Sequence, residues 1–203
     1  MSRLAQLTRD DLSADARAAF ERIASRGSAE KVSGAHADVY GGRAASNRDS
    51  LSGPFNIWMR SPGLAETMTG LSNFLRYQSA LAPPVQELVT LIVAQRNGAA
   101  YAWVNHLGYA KKSGLSEAVI AALEKGQRPG FGADFDDAVY DFTTELLDTR
   151  SVGDAAYQAV LSHLGEAGTV ELVSQIGFYV MIALSLNAFQ TPIPEGATPP
   201  FDG

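Results

Sequence analysis

Apolar residues recur along most of this chain at three- and four-residue spacing, the signature of amphipathic helices. Ser13 is placed to cap a helix over 14–25 that ends at Gly27. From Gly27 to Gly53 the periodicity lapses among glycines and small polar residues, which predicts a long loop with at most one short helix. Loops of that length in a compact domain tend to be functional lids or mobile segments. Ser61-Pro62 opens the next helix, with proline at the first position, where its missing N–H costs nothing. That helix is expected to reach about Gln78 and to bury Leu64, Met68, Leu71, Phe74 and Leu75.

Pro83-Pro84 then breaks the chain, and 85–96 reads as a largely buried helix stopped by Asn97-Gly98. The next helix, 99–113, ends on Gly114, and Leu115-Ser116-Glu117 caps a short one to Glu124. Further helices are predicted over 133–149, 154–164 and 169–189, followed by a proline-rich tail, 191–203, without a core of its own. No segment alternates like a strand and no repeat is visible, so the expected class is all-α, a single-domain bundle of about eight helices. Within 1–203 the expected parts are an N-terminal helix and glycine-rich loop (1–52), a core (53–190) and the tail.

A length of 203 residues suits one domain, and 46% hydrophobic with 19% charged residues excludes a disordered chain. The net charge of -6 argues against nucleic acid and against an anionic membrane surface, both of which select for surplus Lys and Arg. Nothing at the start resembles a signal peptide, and the longest apolar stretch, 176–186, is shorter than the roughly 20 residues a bilayer requires. The cytoplasm is the expected location. Zero cysteines remove disulfides, thiolate metal sites and every thiol-based mechanism.

Three stretches carry a family resemblance: Gln86-Glu87-Leu88-Val89-Thr90-Leu91-Ile92-Val93-Ala94, then Asn97 through His106, then Ala110 and Gly114. Together they resemble the carboxymuconolactone decarboxylase and alkylhydroperoxidase-D-like superfamily. The likeness extends to Gly53-Pro54-Phe55, Ser61-Pro62, Leu75-Arg76-Tyr77 and Leu186 to Pro194. The peroxidase branch carries Cys-x-x-Cys-x-x-x-His and a Glu on the preceding helix. Here the thiol positions fall on Ala99 and Ala102, while the Glu and His positions fall on Glu87 and His106. A methyl group neither ionises nor forms a disulfide, so peroxidase or disulfide-reductase activity does not carry over. Decarboxylase-like members also lack the cysteine pair but often have an acidic residue where this chain has Ala102.

Geometry supports the same two residues. Ala99, Ala102 and His106 share one helix face at i, i+3, i+7, with room for a ligand beside the imidazole. A Glu brought alongside through the Asn97-Gly98 turn could orient the imidazole and favour its protonated form. The competing reading is a buried Glu–His pair that only satisfies two polar side chains. The resemblance also implies a basic residue at Arg76, whose planar fork suits a substrate carboxylate or a salt bridge. Tyr77, Tyr101 and Trp103 offer aromatic walls or ordinary core. His36, in the loop, and His163, near a helix C-terminus, carry little claim to function. The three histidines have no metal-ligand spacing, and no nucleotide-binding or serine-hydrolase motif is present. The set Asp134, Asp137, Asp141, Glu145 and Asp148 reads as one solvated helix face.

The expected function is therefore a cofactor-free, decarboxylase-like enzyme that moves a proton on a small carboxylated, lactone or carbonyl compound. His106 would be its acid/base, Glu87 its orienting partner and Arg76 an anion anchor. The alternatives are a catalytically silent binding or scaffold protein and a degenerate alkylhydroperoxidase-D-like protein. The nearly all-round apolar 169–189 and the family likeness both lead to a homo-oligomer, a trimer or hexamer.

Overall fold

A computed structural model describes residues 2–24, 34–40 and 51–201. All regular structure among these is helical: a 3-10 turn (Arg9–Asp11), α1 (Ala14–Ala24), α2 (Gly34–Tyr40), α3 (Pro54–Trp58), α4 (Pro62–Asn73), a π-helical turn (Phe74–Gln78), α5 (Pro83–Arg96), α6 (Ala100–Ser113), α7 (Glu117–Glu124), α8 (Asp134–Thr149) and α9 (Asp154–Ala188). Most predicted boundaries are met within a residue or two. Ser13 caps α1 through its carbonyl and hydroxyl, and the Ser116 hydroxyl accepts from Val119 N–H at the start of α7. The one short helix expected in the long loop is α2, whereas 25–33 and 41–50, and any lid they form, lie outside the described residues.

The chain divides into two compact units, residues 1–78 with 185–192 and residues 79–184 with 193–203. In the first, α4 packs against α1 and α3. The amino-terminal segment is tied down by backbone bonds: Arg3 N–H donates to Phe189 C=O at 2.9 Å, and Leu7 N–H donates to the Asn56 side-chain oxygen at 2.8 Å. Helix α3 escaped the sequence pattern because only five residues form it, too few for a helical period to show. The face assigned to α4 is also different. Leu75 is buried as expected, together with Ala65 and Thr69, whereas Leu64, Leu71 and Phe74 are exposed. Small residues bring α4 close to its neighbours, and the larger apolar ones point away.

The second unit is built around α5, which packs against α6, α7 and α8. Every residue from Val85 to Ala94 is buried, so α5 has no solvent face and its pattern is apolar nearly all round. The chain reverses at Asn97-Gly98. Gly98 adopts φ 59°, a left-handed conformation that costs a Cβ-bearing residue about 1 kcal/mol or more. Ala99 N–H then bonds back to Ala94 C=O at 2.8 Å, which sends α6 back along α5.

Helix α9 runs through the two segments predicted separately, and the predicted break is present as a kink at Gly165 (φ 65°, ψ -177°). That backbone region is essentially open to glycine alone. By length and composition α9 could cross a membrane, which the 11-residue apolar stretch did not suggest; half of its most apolar window is buried within the structure, as in a core helix. On α8 the acidic stripe is bridged by Arg128, which reaches Asp137 at 2.7 Å and Asp141 at 2.8 Å. The tail is anchored, since Phe201 meets the Trp103 ring edge-on at 5.4 Å.

Candidate active site

The reversal at Gly98 brings two polar side chains together inside the second unit. Glu87 of α5 places Oε2 2.8 Å from Nδ1 of His106 on α6. Glu87 is 1% exposed and His106 9%. A carboxylate at this distance accepts the Nδ1 proton, so the neutral imidazole keeps its lone pair on Nε2. That nitrogen lies 3.4 Å from the Tyr179 hydroxyl on α9. The Tyr179 ring stands nearly perpendicular to the imidazole, with centroids 5.2 Å apart, and Tyr109 approaches from α6 at 6.0 Å. Carboxylate, imidazole and phenol thus form a line across three helices.

The surrounding core holds that line in place. Thr90, one turn after Gln86, donates its hydroxyl to the Gln86 carbonyl at 2.8 Å. The Gln86 amide donates to the Leu81 carbonyl at 2.9 Å, and the Gln175 amide reaches the Gln86 carbonyl at 3.4 Å. Gln175 and Tyr179 are one turn apart on α9, so one face of that helix meets the backbone next to Glu87 and the ring of His106. Buried polar groups with partners fix one arrangement of helices, because any other would strand them.

Ala99 at the N-cap of α6 and Ala102 and Trp103 within it are buried with His106, while Tyr101 is half-buried. Trp103, read as an aromatic wall or ordinary core, meets Phe201 of the tail edge-on. Arg76 and Tyr77 lie in the first unit, on the π-helical turn. Arg76 is buried with its guanidinium over the Tyr40 ring at 4.5 Å, and Tyr77 meets the same ring edge-on at 6.2 Å. His36 stacks near Tyr40, and the exposed His163 lies 4.9 Å from the Phe135 ring. Among the described residues no group of three or more His, Asp or Glu is arranged to hold a metal. Tyr179 was passed over in the sequence as one more apolar position. The signal that could have found it is Gln175, a polar residue one turn earlier in an apolar helix.

Residues 62–135 match the carboxymuconolactone decarboxylase family. The fold is similar to that of a protein of unknown function from Agrobacterium tumefaciens, described as a candidate antioxidant defence protein AhpD. The two share 19% identity and a TM-score of 0.61 over 68% of this chain and 96% of that one. It is also similar to the debrominase Bmp8, solved as a C82A variant with 2,3,4-tribromopyrrole, at 14% identity and a TM-score of 0.60 over 70% and 76% of the chains. A peroxidase-related protein from Silicibacter sp. TM1040 matches at 14% identity and a TM-score of 0.60, over 70% and 75%. No curated protein matches the sequence. Over residues 62–135 the chain thus matches the carboxymuconolactone decarboxylase family, its fold is the AhpD-like helical one, and its sequence holds no cysteine.

Proposed function

We propose that this protein is an acid/base enzyme that moves a proton on a small carboxylated, lactone or carbonyl compound without a cofactor, in the manner of a decarboxylase or a related isomerase. The observation that carries the reading is the buried 2.8 Å contact between Glu87 and His106. A carboxylate fixing one imidazole nitrogen leaves the other to exchange a proton, the arrangement general acid/base chemistry requires. In a decarboxylation the carbon–carboxylate bond breaks, its electron pair enters the substrate's conjugated carbonyl, and the site returns one proton to carbon. The protein would work in the cytoplasm on a small molecule, with no nucleic-acid or membrane partner.

A homotrimer or hexamer is part of this proposal. Much of the apolar surface of α9 is spent within its own chain, yet Val170 is 65% and Leu184 58% exposed, with Val173 exposed between them. A stripe of this kind favours a partner surface. The test of function is a panel of carboxylated lactones and β-keto acids, scored for carbon dioxide release and for deuterium uptake at carbon. His106→Asn should lower the rate by ~10²–10⁴-fold. A variant as active as the parent would refute the assignment. The deep burial of Glu87 and His106 favours a second reading, a silent scaffold that keeps the pair for its fold. That reading expects no turnover and no ligand-induced change at His106.

A further inference from the structure

We propose that the Tyr179 hydroxyl, rather than the imidazole itself, is the group that exchanges the proton with substrate in this site. The inference rests on the acid/base reading above and adds the terminal residue of its relay.

Both imidazole nitrogens of His106 are engaged, Nδ1 by Glu87 at 2.8 Å and Nε2 by the Tyr179 hydroxyl at 3.4 Å. The phenol oxygen therefore stands at the imidazole nitrogen opposite the one that Glu87 holds. The 3.4 Å separation is long for a hydrogen bond, as catalytic contacts often are before a ligand tightens them. Near-perpendicular rings hold the phenol oxygen beside the nitrogen while the ring edge packs against the imidazole. Among the described residues, Glu87 from α5, Tyr179 from α9 and Tyr109 from its own helix face this imidazole.

The step balances with no reagent other than water. When the site acts as a base, the phenol oxygen takes the proton from the substrate carbon as its own proton passes to Nε2. The products are a substrate carbanion delocalised into its carbonyl, a neutral phenol and an imidazolium paired with the Glu87 carboxylate. To act as an acid after loss of carbon dioxide the ring must first take a proton from water on Nε2; the phenol then protonates the carbanion and takes the Nε2 proton in turn, leaving the neutral Nδ1–H imidazole. No free phenolate need accumulate, so the high ordinary pKa of tyrosine, about 10, is no obstacle.

The test begins with nitrogen NMR of the substrate-free protein, with His106 assigned by its loss in His106→Asn. The wild type is expected to carry its neutral proton on Nδ1, and an Nε2–H tautomer would overturn the proposal without any variant at position 179. In Tyr179→Phe the His106 midpoint is expected to rise, because the phenol's hydrogen bond favours the neutral ring and its loss removes that preference. An unchanged midpoint would overturn it. On the panel compound that exchanges deuterium fastest, Tyr179→Phe should lose ~10²–10⁴-fold, and the double variant with His106→Asn should be no slower than either single one. Exchange retained in Tyr179→Phe but lost in His106→Asn would overturn this inference and leave the acid/base reading intact. Exchange retained in both would overturn the two together.

Discussion

The Glu87–His106 pair can be weighed by what its removal costs. Both side chains are buried and in contact at 2.8 Å, so Glu87→Leu takes this partner from an imidazole, and His106→Leu takes it from a carboxylate, in a water-poor core. Breaking a buried pair from one side costs about 3–5 kcal/mol, much of it the stranded group's lost solvation. A domain of this size shifts its melting temperature by roughly 2–4 °C per kcal/mol, so each single variant should melt about 6–20 °C lower. Replacing both residues, as in Glu87→Leu with His106→Leu, strands neither group and should recover most of the loss. The assay is urea unfolding at pH 7 of the four proteins in the cycle, with circular dichroism as the probe. A coupling energy above about 2 kcal/mol is expected for neighbours of this kind. Single losses that simply add in the double variant would show that the two side chains are not energetically paired, and the relay would lose its physical basis. A double variant as stable as the parent but inactive would show that the pair is kept for chemistry rather than for stability.

Other expectations are separate from that pair. Glu87→Gln should move the His106 midpoint downward, because the imidazolium loses the adjacent negative charge; NMR titration reads this directly. The Asp11 carboxyl is held below its usual range by the Thr8 backbone N–H and then by the Thr8 hydroxyl, both at 2.8 Å. Its stabilising contribution is therefore complete above the ordinary carboxyl pKa and is lost as pH falls through the lowered one. The melting-temperature gap between wild type and Asp11→Asn should be present at pH 7 and close as the pH is taken down through that range. Phe201→Ala, made in a Trp58→Phe background so that Trp103 alone emits, should red-shift the fluorescence and open Trp103 to acrylamide. Loss of the ring pair should cost about 0.5–1.5 kcal/mol, and an unmoved spectrum would show that the tail does not cover that indole. Gly165→Ala should lower the melting temperature, since φ 65° with ψ -177° is closed to alanine; an unchanged melt would mean that α9 straightens at no cost.

The α5–α6 half of the relay was legible in the sequence because local rules fix it. Two prolines start α5, Asn97-Gly98 turns the chain, and the helical period puts Ala99, Ala102 and His106 on one face. Once the turn is right, Glu87 and His106 have little choice but to meet. The helix boundaries were legible for the same reason, since caps and glycines act within a few residues. What stayed hidden depends on packing between distant segments. Tyr179 reaches His106 across a separation of 73 residues, and its helix is apolar on most sides, so periodicity could not say which face turns inward. The misassigned face of α4 failed likewise: the pattern favoured the large residues Leu64, Leu71 and Phe74, whereas packing selected Ala65 and Thr69, which let helices approach. Periodicity reports which residues share a face, and only the neighbouring helices decide whether that face is buried. The same limit bears on the relay, because Glu87 and His106 are set by a turn while Tyr179 depends on how α9 packs. Altering α9 packing through Gln175→Leu, which removes the amide reaching the Gln86 carbonyl, should therefore disturb the Tyr179 contact while leaving the Glu87–His106 bond in place. Nitrogen NMR separates the two: a perturbed Nε2 signal with an unchanged Nδ1–H is expected, and equal disturbance of both would show that α9 supports the whole line rather than its last member.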